Sequence, residues 1–296
     1  VETRRIVRIG SSFYVALPKT WVQERVGGNG IVALTVEEDG SLKITPFSIR
    51  KQDEKKQVSL LCSKDLFRNI VSAYLRGFEV IEITVNPECR DDVLRTVERA
   101  RQLLLGLELV GEEPGLVVLQ SFTRPDYDLD SLVQRMSSTT LSMLNLSFRV
   151  VETGDLSLAE KILYMDDIVD RLYFLAVRII RSRISDPSYP SSEKVKLVDT
   201  RVVVRNLENL GDLLEEFIRA GVVKGKVDWE LYDRLASFQK RVVALALGES
   251  IVRENIYEEY LTLEDKLARA RVILPPRFYE TLEDMKSLLK DILDLS

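Results

Sequence analysis

Two helical segments constrain the fold of this chain more than any other feature, because each carries acids four residues apart within an otherwise apolar pattern. The first, LAEKILYMDDIVDRLYFLAVRII, holds Asp166 and Asp170; the second, VDTRVVVRNLENLGDLLEEFI, holds Glu208 and Asp212. Four residues is slightly more than one helical turn, so each pair projects from one face. On the first segment that face is the apolar one. Ala159, Leu163, Asp166, Asp170, Tyr173, Val177, Ile180 and Ile184 follow the four-three spacing of a bundle seam. Two carboxylates therefore stand where a purely structural bundle has Leu or Ile. Burying an unpaired carboxylate costs on the order of several kcal/mol, so a compensating positive charge is expected.

The second segment matches it. Leu197, Val204, Leu207, Gly211, Leu214 and Ile218 form an apolar stripe, and Glu208 and Asp212 lie along its edge. Gly211 stands between the acids, where a missing side chain lets a neighbouring helix or an ion come close. Arg205 is an alternative counter-charge, three residues before Glu208. Two readings follow: the acids are metal ligands, or they are a solvated helix face paired with Arg and Lys.

The strings EKILYMDDIVDRLYF and RNLENLGDLLEE resemble the two acidic helix motifs of PhoU-domain proteins, the phosphate-uptake regulators. That resemblance implies metal binding by an acid pair on each of two neighbouring helices. Carried over, the ligands are Asp166 with Asp170 and Glu208 with Asp212. The resemblance spans about residues 126–296 and predicts an all-α domain of three-helix-bundle repeats. Laying LTLEDKLARA over LYMDDIVDRL sets Glu264 on Asp166 and Ala268 on Asp170; likewise Glu283 falls on Glu208 and Ser287 on Asp212. Each pair in the second copy has lost its second acid, so one metal site is expected, not two.

The chain has no histidine. Ser-His-Asp triads, Cys-His pairs, zincin motifs and the Glu-x-x-His sets of ferritin-like oxidases are therefore excluded. Neither GxxxxGK[ST] nor GxGxxG occurs, so no nucleotide-binding loop is indicated. An all-carboxylate site favours divalent or trivalent oxygen-seeking ions, with iron, magnesium, manganese or calcium ahead of zinc. These features argue against an enzyme.

The formal charge is −5, which argues against wholesale coating of nucleic acid but leaves room for a local basic patch. Residues 1–25 carry five basic side chains against two acidic ones, a local balance of +3. Within them, RRIVRI reads as a strand, Phe13–Leu17 as a second strand ended by Pro18, and Lys19–Val26 as a short helix. A hairpin across Glu38-Asp39-Gly40 follows. This stretch, about 1–47, has little core of its own and needs a second copy. The string RRIVRIGSSFYVALPKTWV resembles the AbrB (SpoVT-type) fold, a swapped-hairpin β-barrel made by two chains and used to bind DNA. The resemblance implies a homodimer, with Arg4, Arg5, Arg8 and Lys19 as candidate phosphate contacts that position a duplex without reading it. The alternative is that these cations solvate a dimerisation module.

Residues 48–57 are polar and charged, a linker by composition. Residues 58–123 read as β-α-β-α-β-β, a small α/β connector, ferredoxin-like, with both helices on one face. The stretch RNIVSAYLRGFEVIEI resembles the region that joins AbrB and PhoU parts in archaeal fusion proteins. Spacer, ligand-binding and pairing roles all remain open for it. Cys62 and Cys89 lack CxxC spacing, and reduced thiols are the expected state, with a Cys62–Cys89 disulfide the minor alternative. No run of eighteen uncharged apolar residues and no signal-peptide pattern occurs, so a cytoplasmic location without membrane insertion is expected.

The resulting expectation is a multidomain α+β protein: a dimeric barrel at 1–47, a connector at 58–123 and a helical domain at 126–296. Its expected function is regulation of phosphate uptake, through DNA or through docking on a phosphate transporter or sensor kinase.

Overall fold

The computed structural model describes residues 2–26, 30–37, 39–47, 56–124, 126–187, 189–249 and 253–295. At the N-terminus, β1 (Val7–Ile9) and β2 (Ser12–Tyr14) pair antiparallel across Gly10, whose φ of +64° suits a glycine. Helix α1 (Lys19–Trp21) starts after Pro18 and continues as a single π-helical turn, Val22–Val26. Strands β3 (Val32–Val36) and β4 (Leu42–Pro46) form the second hairpin, where Asp39 accepts a bond from the Ser41 N–H. The hairpins remain separate two-stranded sheets, and among the described residues no closed barrel forms. The first two strands are also shorter than the sequence suggests. Each has a single neighbour, so nothing extends the pairing toward Arg4 or Leu17. Ile6, Val7, Ile9, Phe13, Leu34 and Val36 are left exposed.

Most of the expected linker, residues 48–55, lies outside the described residues, while Gln57 already belongs to β5 (Gln57–Leu61). The connector continues with α2 (Leu66–Leu75), β6 (Val80–Thr84), a 3₁₀ turn at Pro87–Cys89, α3 (Arg90–Leu103), β7 (Leu107–Glu113) and β8 (Leu116–Ser121). Ile70, Tyr74, Val93, Val97 and Ala100 from the helices meet Ile81, Ile83, Val117 and Leu119 of the sheet in one buried core. The expected layering therefore holds. The ferredoxin-like order does not: the sheet runs β5-β6-β8-β7, with β5 and β6 adjacent and parallel. A ferredoxin-like sheet is built on a split βαβ unit, whereas here the crossover helix α2 joins neighbouring strands. Cys62 and Cys89 are also paired as a disulfide, which ties the end of β5 to the start of α3. This replaces the expected free thiols; the fold brings together residues 27 apart in sequence, a proximity that spacing alone does not reveal.

Six helices fill the rest: α4 (Leu129–Thr153), α5 (Leu156–Ser185), α6 (Ser191–Arg219), α7 (Trp229–Ala246), α8 (Arg253–Ala270) and α9 (Pro276–Asp294). Their starts follow from local chemistry. Asp128, Asp155 and Asp228 accept hydrogen bonds from first-turn N–H groups of α4, α5 and α7. Ser191 is the first residue of α6, and Pro190 occupies the cap position. Helix α7 stops at Ala246, where Leu247 and Gly248 (φ +88°) turn the chain. Phe148 of α4 and Phe217 of α6 each stand 4.9 Å from Phe278 of α9. One continuous core thus serves both three-helix repeats.

Candidate metal centre

Helices α5 and α6 pack side by side in the first repeat, and their contact surface carries the acids. Asp166 is only 5% exposed, Asp170 is half-buried and Asp212 is exposed. One carboxylate oxygen from each lies within 4.8 Å of the others. Gly211 makes this possible. A Cβ at that position would lie 2.8 Å from Asp166 Oδ1, closer than such atoms approach. The glycine gives the carboxylate its room, and α6 presents bare backbone beside it.

The charges are unbalanced. Asp166 Oδ1 is buried and accepts no hydrogen bond among the described residues. Burial, followed by Asp170, Glu215, Asp212 and Asp167, pushes the Asp166 carboxyl up to about 8. Burial with Asp212, Glu215 and Asp167 pushes Asp170 up to about 6, against the opposing pull of Arg205. Asp212 is raised as well, first by burial, although Arg205 opposes the rise. An acid in this position either holds its proton or gains a cation. The clustered oxygens, the orphaned Asp166 Oδ1 and the open backbone at Gly211 fit a metal ion taken by oxygen ligands. Asp166, Asp170 and Asp212 are the residues that would hold it.

Glu208 behaves differently from the sequence expectation. Its Oε1 accepts from Arg205 Nη1 at 2.9 Å, which is the ordinary ion pair left open as the alternative reading. Its Oε2 is buried without a partner, and burial, then Asp212, raises its carboxyl to about 7. Glu208 therefore borders the three-acid cluster without joining it. Two features were missed in the sequence. Glu215, three residues after Asp212, adds negative charge to the cluster while bonding Arg219. Tyr173 anchors the basic rim: Arg201 Nη2 donates to its hydroxyl at 2.9 Å, and the Arg201 and Arg205 guanidiniums lie 5.1 and 5.7 Å from its ring centroid. Glu215 could have been found by extending the acidic face of α6 by one turn.

The candidate nucleic-acid contacts Arg4, Arg5, Arg8 and Lys19 are all exposed on the N-terminal unit. Arg4 pairs with Glu2, while Arg8 donates to the Gly10 carbonyl at 3.1 Å and lies over Phe13. Among the described residues, no helix is long and apolar enough to cross a membrane.

The helical domain is thus a bundle of two three-helix repeats, with an acid cluster between the second and third helices of the first. More particularly, residues 133–220 are a PhoU domain, by their match to the family model of that description. That span runs from early α4 through α6 and contains every acid of the cluster. The chain is also similar to the crystal structure of PhoU from Pseudomonas aeruginosa, at 11% identity and a TM-score of 0.37, over 57% of this chain and 93% of that one. No curated protein matches the chain.

Proposed function

We propose that this chain is a non-enzymatic regulator of phosphate uptake, dimeric through its N-terminal hairpins, that binds DNA there and responds to a metal ion held by the helical domain. The observation that carries the metal reading is the convergence of Asp166, Asp170 and Asp212 within 4.8 Å, with Asp166 Oδ1 buried and unpaired. The PhoU domain at 133–220 supports the role in phosphate uptake. A bound divalent or trivalent cation would supply the positive charge that these carboxylates lack. An all-oxygen set favours iron, magnesium or manganese over zinc. Asp166 and Asp170 sit on α5 and Asp212 on α6, so ligation joins two helices, and metal-bound and metal-free bundles are two states that a ligand biases.

Exposed Arg4, Arg5, Arg8 and Lys19 support the DNA reading, and the proposal includes a cytoplasmic location. The exposed apolar side chains of both hairpins support a second copy packed against them, completing the two-chain barrel. Those same side chains favour one rival reading, in which the hairpins serve only to dimerise an adaptor that docks on a phosphate transporter or a sensor kinase.

Direct titration with Mn²⁺ tests the metal reading. The expected result is one equivalent per chain, with affinity reduced by at least about tenfold in Asp170→Asn, the loss of one charged ligand. Binding that is absent, or unchanged in that variant, would refute it.

A further inference from the structure

Helices α8 and α9 repeat the arrangement of α5 and α6, with a different occupant. The register that lays Glu264 on Asp166 and Glu283 on Glu208 also lays Lys286 on Gly211. The structure supports that register, because the equivalent positions face one another in both repeats. A Cβ on Gly211 would meet Asp166 Oδ1 at 2.8 Å, and Lys286 Nζ stands 3.6 Å from Glu264 Oε1. The same ammonium lies 2.7 Å from Glu283 Oε2. Lys286 is 6% exposed, a degree of burial that lysine adopts almost only when paired.

The two repeats therefore solve the same electrostatic problem in opposite ways. In the first, glycine leaves the surface of α6 open, and Asp166 Oδ1 and Glu208 Oε2 have no partner. In the second, a four-methylene arm fills that space and ends in a positive charge. The flanking tyrosines complete the set: Tyr279 donates to Glu283 Oε1 at 2.8 Å, and Tyr260 to Glu264 Oε1 at 3.4 Å. Burial alone would pull the ammonium down, but the hydrogen bond and charge of Glu283, with Tyr260 and Glu264, hold it above its ordinary value. It is a permanent cation.

We propose that Lys286 is the built-in cation of the second repeat: its ammonium occupies the position a metal ion would take between α8 and α9, and, with the second acid of each pair replaced by Ala268 and Ser287, it limits the helical domain to a single metal. The inference rests on the metal reading of the first repeat. It makes the α7–α9 half a metal-independent scaffold, and leaves the α5–α6 contact as the part whose state a metal changes.

The test restores the two lost acids and asks whether Lys286 blocks them. Mn²⁺ bound per chain is counted by the loss of the free-ion electron paramagnetic resonance signal in the full chain. Wild type and Ala268→Asp/Ser287→Asp should each bind one equivalent; adding Lys286→Gly to that pair should raise the count to two. One equivalent in both wild type and the triple variant overturns the proposal, as does no binding in either. No binding in wild type but one equivalent in the triple variant supports Lys286 as the block while refuting the first-repeat site. Should the triple variant fail to fold, Lys286→Met added to an Asp166→Asn/Asp170→Asn/Ala268→Asp/Ser287→Asp background decides the matter. Millimolar Mn²⁺ should raise its melting temperature by several degrees and leave that of the background unchanged; equal responses overturn the proposal.

Discussion

Asp166 stands where neighbouring turns of the same helix carry Ile162, Val169 and Tyr173, all buried. Its elevated pKa, with those of Asp170 and Glu208, makes the stability of the metal-free chain depend on pH. A carboxyl whose pKa is raised by folding holds its proton more tightly in the native state. Its contribution is full below the unfolded value of about 4 and is lost as pH climbs through the folded values, which here are about 6, 7 and 8. The chelated protein should therefore melt at a clearly higher temperature at pH 5 than at pH 8, and a profile flat between them would contradict the assignment. Asp166→Asn should flatten that slope and stabilise the chelated chain at pH 8 by roughly 2 kcal/mol, since each unit is worth about 1.4 kcal/mol and the shift is shared among several acids. Gly211→Ala should act mainly on the site: its methyl would push Asp166 Oδ1 aside and weaken Mn²⁺ binding, readable by titration, while the melting temperature changes little because Ala gains about 1 kcal/mol over Gly in a helix interior. Much of this was legible in the sequence, because four-residue spacing on an apolar seam fixes which acids share a face. The choice of Glu208 to pair with Arg205 was not, since a side chain's rotamer decides it and spacing does not. Lys286 is not legible from the acid pattern, because it falls on a glycine of the first repeat and its burial depends on how α8 and α9 pack.

Among the elements, α5 joins the helical domain to the connector. Two turns beyond Asp170, Arg178 is buried and reaches into the α/β unit. Its Nε donates to Thr123 Oγ1 at 2.7 Å, both terminal nitrogens donate to the Phe78 carbonyl at 3.1 Å, and Nη1 also bonds the Tyr74 carbonyl. The guanidinium lies 4.6 Å from the Tyr74 ring centroid, and the Tyr74 hydroxyl in turn bonds the Leu105 carbonyl. Arg178→Met should strip the side-chain donors from the Phe78 carbonyl, between α2 and β6, at about 1–3 kcal/mol for a group left buried and unsatisfied, while the Tyr74 carbonyl keeps the Gly77 N–H. Hydrogen exchange should then quicken around residues 74–78 and 121–123, with Mn²⁺ affinity unchanged. Unaltered exchange there would show that the clamp is dispensable. Element identity and order were readable from period, caps and turn residues. The neighbouring placement of β5 and β6 and the Cys62–Cys89 link were not, because both depend on how distant segments pack.

Over the whole molecule, a basic, apolar-surfaced N-terminal unit is joined by a connector to a bundle with one unbalanced acid cluster. Here the sequence was least sufficient. The proposed barrel depends on a second copy, whereas the N-terminal unit of the single chain has two separate two-stranded sheets with apolar side chains exposed. The central claim is that the metal state of the bundle alters the grip of this unit on DNA. Fluorescence anisotropy against promoter and random duplexes tests it most directly, measured across a salt series with and without Mn²⁺. The proteins compared are the full chain, its Asp170→Asn variant and a chain lacking residues 1–50. The account predicts binding that weakens with salt at a slope of about −0.9 in log K per phosphate contact, disappears with the deletion, and shifts with Mn²⁺ in the full chain but not in Asp170→Asn. No binding by the full chain even at low salt would contradict it and leave the adaptor reading in its place.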